Sequence, residues 1–215
     1  SSRRRHTRFR NVTGVQTCAL PIWPETLPRA REAGVRVLSQ VDLPPGRYQL
    51  RVAAAEEGGK SGSVITDLEV PDFSAAPMMM SGLSVTSSSA AQAPTVKPKD
   101  PLAQFLPGPA TTVREFSRDD QLALFAEFYE NLKNAPPHKV DITTTIRTDE
   151  GRVISTDSEE RDSSELQGAN GGYGYMSVLS LRDLQPGLYV IHVEGRSRAT
   201  PAEAAVSRDL QIRVK

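Results

Sequence analysis

Leu184-Gln185-Pro186-Gly187-Leu188-Tyr189-Val190-Ile191-His192-Val193 decides the fold, because the chain contains this stretch twice. The earlier copy is Leu43-Pro44-Pro45-Gly46-Arg47-Tyr48-Gln49-Leu50-Arg51-Val52. Each opens on Pro-Gly, a strong turn signal: proline presets its own φ and glycine accepts a positive one. Each then alternates. Tyr48, Leu50 and Val52 point one way, and Arg47, Gln49 and Arg51 the other. Tyr189, Ile191 and Val193 face in, and Leu188, Val190 and His192 face out. A period of two marks a strand with one buried face. A second strand follows each copy, Val64 to Val70 and Val206 to Val214, and both carry Asp-Leu at what reads as matching places, Asp67-Leu68 and Asp209-Leu210.

A leucine, a Pro-Gly turn and a tyrosine entering a strand resemble the tyrosine corner of immunoglobulin-like and fibronectin type III domains. There the ring packs in the core and the hydroxyl bonds to nearby backbone. The resemblance implies an all-β sandwich, with Tyr48 and Tyr189 as corner residues. An equally simple reading is that each ring fills core. Neither reading implies a ligand.

Working outward, 111–215 has the ~100 residues of one complete sandwich. Val113 to Phe116 reads as its first strand. Leu122, Leu124, Ala126 and Phe128 alternate with Ala123, Phe125, Glu127 and Tyr129. Both sets are rather apolar, which predicts a central strand, with a helical stripe as the rival. Val140, Ile142, Thr144 and Ile146 form a β-branched strand, and Asp149-Glu150-Gly151 turns it into Arg152 to Thr156. The polar stretch 157–172 reads as a loop, and Tyr173 to Leu181 as the next strand. Upstream, Trp23 to Ala33 is a short helix or a turn, and Val35 to Val41 a weak strand. Three strands fall short of the about seven that such a domain needs. Residues 23–76 are therefore expected to be a partial immunoglobulin-like domain, marginal alone. Residues 77–110, rich in proline and serine, read as linker. Within it Leu83 and Val85 suggest a short strand, and Met78-Met79-Met80 either a soft binding surface or packing over a domain end.

Residues 2 to 22, Ser-Arg-Arg-Arg-His-Thr-Arg-Phe-Arg-Asn-Val-Thr-Gly-Val-Gln-Thr-Cys-Ala-Leu-Pro-Ile, resemble a translated sequencing adapter with its index. Ser2 to Arg8 match its start and Val12 to Ile22 its end. The resemblance sets 1–22 aside and implies that the native N-terminus is missing. With it go the sole cysteine, Cys18, the basic run Arg3-Arg4-Arg5 and the sequon Asn11-Val12-Thr13. Taking its five arginines from the 26 basic residues leaves 21 against 26 acidic ones, a formal charge of −5. A mildly acidic body offers no electrostatic case for nucleic acid or anionic lipid. No apolar run approaches the ~20 residues of a membrane span.

Candidate sites are few. Asp157, Glu159, Glu160, Asp162 and Glu165 supply oxygen ligands that calcium favours, but Arg161 interrupts them and the EF-hand order is absent. A solvated loop is the reading, with calcium binding the alternative. His138 lies in a proline loop and His192 on an outward strand position, without a neighbouring cysteine or a second histidine at ligand spacing. No catalytic, cofactor or metal residue is assigned, and no enzymatic activity is expected.

From Trp23 onward the chain resembles the C-terminal region of acidobacterial VWFA-related proteins. The stretches that carry this are Leu43 to Ala54, Asp67-Leu68-Glu69-Val70-Pro71-Asp72-Phe73, His138 to Thr145, and Arg161 to Gly168. In that family an upstream A domain binds a metal through Asp-x-Ser-x-Ser. Asp162-Ser163-Ser164 fails that motif at Leu166. The resemblance implies a secreted or envelope-associated chain and transfers no site residue. The expected function is a non-catalytic structural or protein-interaction module, its partners being other proteins or an upstream domain of the same chain. The alternative is a glycan-binding accessory module of a secreted enzyme, with Tyr129, Tyr173 and Tyr175 as its ring platform.

Overall fold

The computed structural model describes residues 23–55, 58–96, 100, 102–132, 135–165, 172–199 and 205–215. The adapter-like segment lies outside them. In chain order the elements are helix α1 (Leu27–Ala33) and strands β1 (Arg36–Val37), β2 (Gly46–Ala55), β3 (Ser61–Val70), β4 (Met78–Met80), β5 (Ser84–Ser87), β6 (Thr95–Val96), β7 (Glu115–Phe116), β8 (Gln121–Glu130), β9 (Lys139–Thr148), β10 (Val153–Asp162), β11 (Gly172–Ser180), β12 (Gly187–Ser197) and β13 (Val206–Val214). They form two compact units: Gln40–Asp72, and 23–39 together with Phe73–Lys215.

The smaller unit is a hairpin. β2 and β3 pair antiparallel from Gly46 opposite Val70 to Ala55 opposite Ser61. The Tyr48 hydroxyl donates to the Pro44 carbonyl at 2.7 Å, and the residue is 5% exposed. Leu50, Val52 and Val64 share its face but are 43%, 61% and 71% exposed. The reason is that, among the described residues, the sheet of this unit has two strands and no covering layer. A strand buries a face only against a second element.

The larger unit is the all-β sandwich that the repeat predicts. One sheet has the order β10-β9-β12-β13-β7, and the other places β8 between β11 and the short strands β4 and β5. β8 is central, as its two apolar faces require. Leu122, Leu124, Ala126 and Phe128 enter the main core, where Tyr175, Val140, Ile142, Ile191, Val193 and Ile212 meet them. Burying each such side chain contributes roughly 1.5–3 kcal/mol. Phe125 and Ala123, on the opposite face, pack with Leu102, Phe105 and Leu106. The Phe105 and Phe125 rings stack at 4.6 Å. The Tyr189 hydroxyl donates to the Gln185 carbonyl at 2.8 Å, again four residues upstream. Both tyrosines thus make the same corner in separate units. Asp149-Glu150-Gly151 turns β9 into β10 as expected, with Gly151 at φ 86°, where glycine alone is unstrained.

Four expectations are corrected. Residues 77–110 are not a linker throughout: β4 and β5 pair with β8, and Met78 and Met80 are 2% and 0% exposed. Proline and serine counts hid the leucine, phenylalanine and methionine positions that supply the burial. Residues 23–39 belong with the sandwich rather than the hairpin. β1 pairs parallel with β6, and the Arg36 amide donates to Pro94 at 2.8 Å. The expected strand Val35 to Val41 shrinks to β1. Next, β10 continues to Asp162, through the acidic run read as loop. Last, the two Asp-Leu pairs do not match. Gly46 faces Val70 and Gly187 faces Val214, so Leu68 corresponds to Ile212 rather than Leu210. A shift of two leaves every side chain on its face, which is why the pattern concealed it.

The sheets meet tightly at Gly195 of β12, where an added Cβ would lie 2.7 Å from Phe128 Cδ1. Gly195→Ala is expected to cost about 1–3 kcal/mol by overpacking, read as a lower midpoint in urea. Tyr189→Phe removes one corner hydrogen bond and is expected to cost about 1 kcal/mol in the same measurement.

Candidate functional site

Titratable groups converge at one corner of the sandwich, where β8 ends, β9 begins and β10 ends. His138 Nε2 lies 2.8 Å from Glu130 Oε1, and Nδ1 lies 2.7 Å from the Pro136 carbonyl. The two side chains are 11% and 2% exposed. Lys139 Nζ reaches Glu160 at 3.5 Å and Asp162 at 3.3 Å. Arg198 reaches Asp141 at 2.8 Å and Glu160 at 2.7 Å. Burial pushes the His138 ring toward the neutral form. The Pro136 carbonyl and the Glu130 carboxylate, helped by Asp162, outweigh it and raise its pKa.

The acidic run does not form a cluster. Strand alternation divides it. Glu160 and Asp162 turn to Lys139, while Glu159 and Glu165 turn to Arg161. Asp162, Ser163, Ser164 and Glu165 build a reciprocal cap. The Ser164 N–H and hydroxyl donate to Asp162 Oδ1 at 3.0 and 2.7 Å, and the Asp162 N–H donates to Glu165 Oε1 at 3.1 Å. This is capping-box chemistry on a single 3₁₀ turn. The Ser164 N–H, its hydroxyl and then Lys139 hold the Asp162 carboxyl at about 2. Among the described residues no group of three or more His, Asp or Glu side chains is placed to hold a metal ion.

His192 sits on the outer face of the five-stranded sheet, as its position predicts. Its Nδ1 lies 2.6 Å from Asp209 Oδ1, which also accepts from Arg147 at 3.1 Å. That surface is a ladder of ion pairs rather than a cleft. The two histidines are not brought together.

The ring platform expected of a glycan binder does not form. Tyr175 is 2% exposed, and its hydroxyl lies 2.9 Å from Thr144 Oγ1 inside the core. Tyr129 packs against Phe73 at 4.7 Å between ring centres, with its hydroxyl donating to Glu127 at 2.5 Å. Burial, then Glu127, raises the Tyr129 pKa well above its ordinary value. The Tyr173 side chain lies outside the described residues. Alternation along β11 turns Tyr175 inward, a parity that counting aromatic residues ignores.

Sequence reasoning missed Asp120, which is 5% exposed. It accepts from the Ser88 hydroxyl at 2.8 Å, the Ser89 N–H at 2.8 Å, the Ser89 hydroxyl at 2.7 Å and the Ser117 N–H at 3.3 Å. Burial raises its pKa, but the bonds from Ser89 and Ser88 outweigh it and lower the value overall. The turn Ser117-Arg118-Asp119-Asp120 was the available signal, since aspartate beside serine favours side-chain-to-backbone turns. It joins β5 to the entry of β8 and is structural.

Fold and corner together define a β-sandwich module in which the titratable side chains described at this corner pair with one another. No protein-family model matches the chain, and no curated protein sequence does. Among solved structures it is similar to the C-terminal domain of Wzt, with 10% identity and a TM-score of 0.43 over 65% of this chain and 74% of that one. It is also similar to parts of two larger proteins. The β-glucuronidase of Bacteroides uniformis shows 15% identity and a TM-score of 0.34 over 60% of this chain and 12% of that one. The β-glucosidase of Listeria innocua shows 8% identity and a TM-score of 0.32 over 61% and 16%. Nothing about activity is carried from these likenesses. No described helix is long and apolar enough to cross a membrane.

Because the folded Asp162 carboxyl titrates at about 2 and an unfolded aspartate near ~3.9, its contribution is full above about pH 4. It is lost as pH falls toward about 2. Asp162→Asn is expected to flatten stability against pH in that window, read by circular dichroism during acid titration. A parallel loss in parent and variant would contradict the assignment.

Proposed function

We propose that the chain is a non-catalytic structural and protein-interaction module from the C-terminal part of a secreted or envelope-associated VWFA-related protein. The observation that carries this reading is the corner of the sandwich. Its acids and bases sit against each other as ion pairs and caps. A catalytic site instead needs a cleft with convergent groups left open to substrate. His138 and Glu130 face each other, Lys139 and Arg198 are occupied by Glu160, Asp162 and Asp141, and Asp120 is enclosed by serines. The family resemblance supplies the setting, and the upstream domain of the same chain is the first partner proposed.

The hairpin supports the idea of a second, like-folded module. Leu50 and Val52 correspond to Ile191 and Val193, which a facing sheet buries to 0% exposure. Their own exposure fits a sandwich layer that lacks its cover, so we read Gln40–Asp72 as the terminal hairpin of such a domain.

In calorimetry and affinity electrophoresis, the whole chain is expected to show no calcium-dependent rise in Tm and no retardation by soluble polysaccharides. It is also expected to leave aryl glycosides unhydrolysed. Retardation by any polysaccharide, a calcium-dependent rise, or turnover would overturn the reading.

A further inference from the structure

We propose that His138 is a proton-operated clamp: its doubly protonated ring ties the end of β8 to the segment entering β9, and the tie is lost when the ring gives up one proton. Geometry dictates the charge. Nδ1 lies 2.7 Å from the Pro136 carbonyl oxygen. A carbonyl oxygen only accepts, so Nδ1 carries a hydrogen. Nε2 lies 2.8 Å from Glu130 Oε1. An ionised carboxylate also only accepts, so Nε2 carries a hydrogen as well.

The consequence of losing it follows from burial. The Glu130 side chain is 2% exposed, and its Oε2 is buried without a hydrogen-bond partner among the described residues. Deprotonation sets the Nε2 lone pair against Oε1 and leaves a buried carboxylate with neither oxygen bonded to a described residue. A buried charge stripped of its partner is strongly destabilising. The carboxylate then turns to water, which releases the 135–138 segment from the end of β8.

The release reaches beyond one side chain. The His138 N–H donates to Ser163 Oγ at 3.0 Å, and the Ser163 N–H donates to the His138 carbonyl at 2.9 Å. The ends of β8 and β10 and the start of β9 thus share one residue. The charged groups around it are Glu130 from β8, Lys139 and Asp141 from β9, Glu160 and Asp162 from β10, and Arg198 after β12. Lys139 and Arg198 are held by the three carboxylates Asp141, Glu160 and Asp162. The balance around the ring is therefore negative, favouring its charged form. The clamp does not depend on the function proposed above.

Its test uses the whole chain. The ring nitrogen shifts of His138, assigned against His138→Gln, are followed from about pH 4 to about pH 9 together with amide exchange at Ser163. The ring is expected to stay doubly protonated past the ordinary value of ~6.5. Because the folded value is the higher one, the clamp is fully present below ~6.5 and is lost as pH rises through the folded value. The protection factor of the Ser163 amide should fall about tenfold for each pH unit separating the two values. Glu130→Gln offers an amide N–H to a neutral Nε2, so it is expected to remove the pH dependence while keeping the tie. A ring that deprotonates at or below ~6.5 overturns the proposal. So does Ser163 protection indifferent to pH in the parent, or pH dependence unchanged in Glu130→Gln. Should that variant fail to fold, the ring titration of the parent decides alone.

Discussion

The two sheets of the larger unit meet tightly where Phe128 of β8 lies against the bare backbone of Gly195 on β12. A phenylalanine pressed onto bare backbone leaves no gap and permits no extra carbon. Met78 reaches the same point from β4, within 3.0 Å of where a Cβ would stand. Three strands from two sheets are therefore located by one contact. The hydrogen bond between Tyr175 and Thr144 makes a second link between the sheets, from β11 to β9. Apolar contact sets the distance, and the buried hydroxyl pair adds direction, since hydrogen bonds constrain angle as well as separation.

The hairpin shows what the same sequence pattern does without that contact. Tyr48 and Tyr189 have nearly the same exposure and bond to a carbonyl four residues back. The corner is thus a local device, closed by its own turn. Leu50 and Ile191, two residues further on, differ completely in exposure. Burial beyond the corner is a property of the opposing layer. A repeat in sequence therefore guarantees the corner and the strand pair, but not a core.

Legibility in the sequence follows the same division. The alternation of Tyr189, Ile191 and Val193 is a period-two signal, and the strands, their inward faces and the turn at Gly151 could be read from it directly. The central place of β8 was readable because both its faces are apolar. What escaped reading depends on partners far along the chain. Met78 and Met80 sit in a stretch dominated by small and proline residues, and only β8, some fifty residues later, makes them core. Asp157 to Asp162 look like a loop because every side chain is polar, yet a strand needs only backbone pairing, which β9 provides. The Glu130–His138 pair spans a loop that no spacing rule singles out. The adapter-like segment and the Tyr173 side chain lie outside the described residues.

β10 carries a further consequence. Among the described residues it pairs on one side alone, with β9. Such a border is ordinarily a place where another polypeptide can add itself as one more strand. Here Glu159, Glu160, Arg161 and Asp162 project above and below that border in fixed pairings. A recruit would have to lay its own side chains beside these charges. Charge thus disfavours growth of the sheet along the 159–162 end of this flank, while the other end presents the exposed Val153 and Ile154.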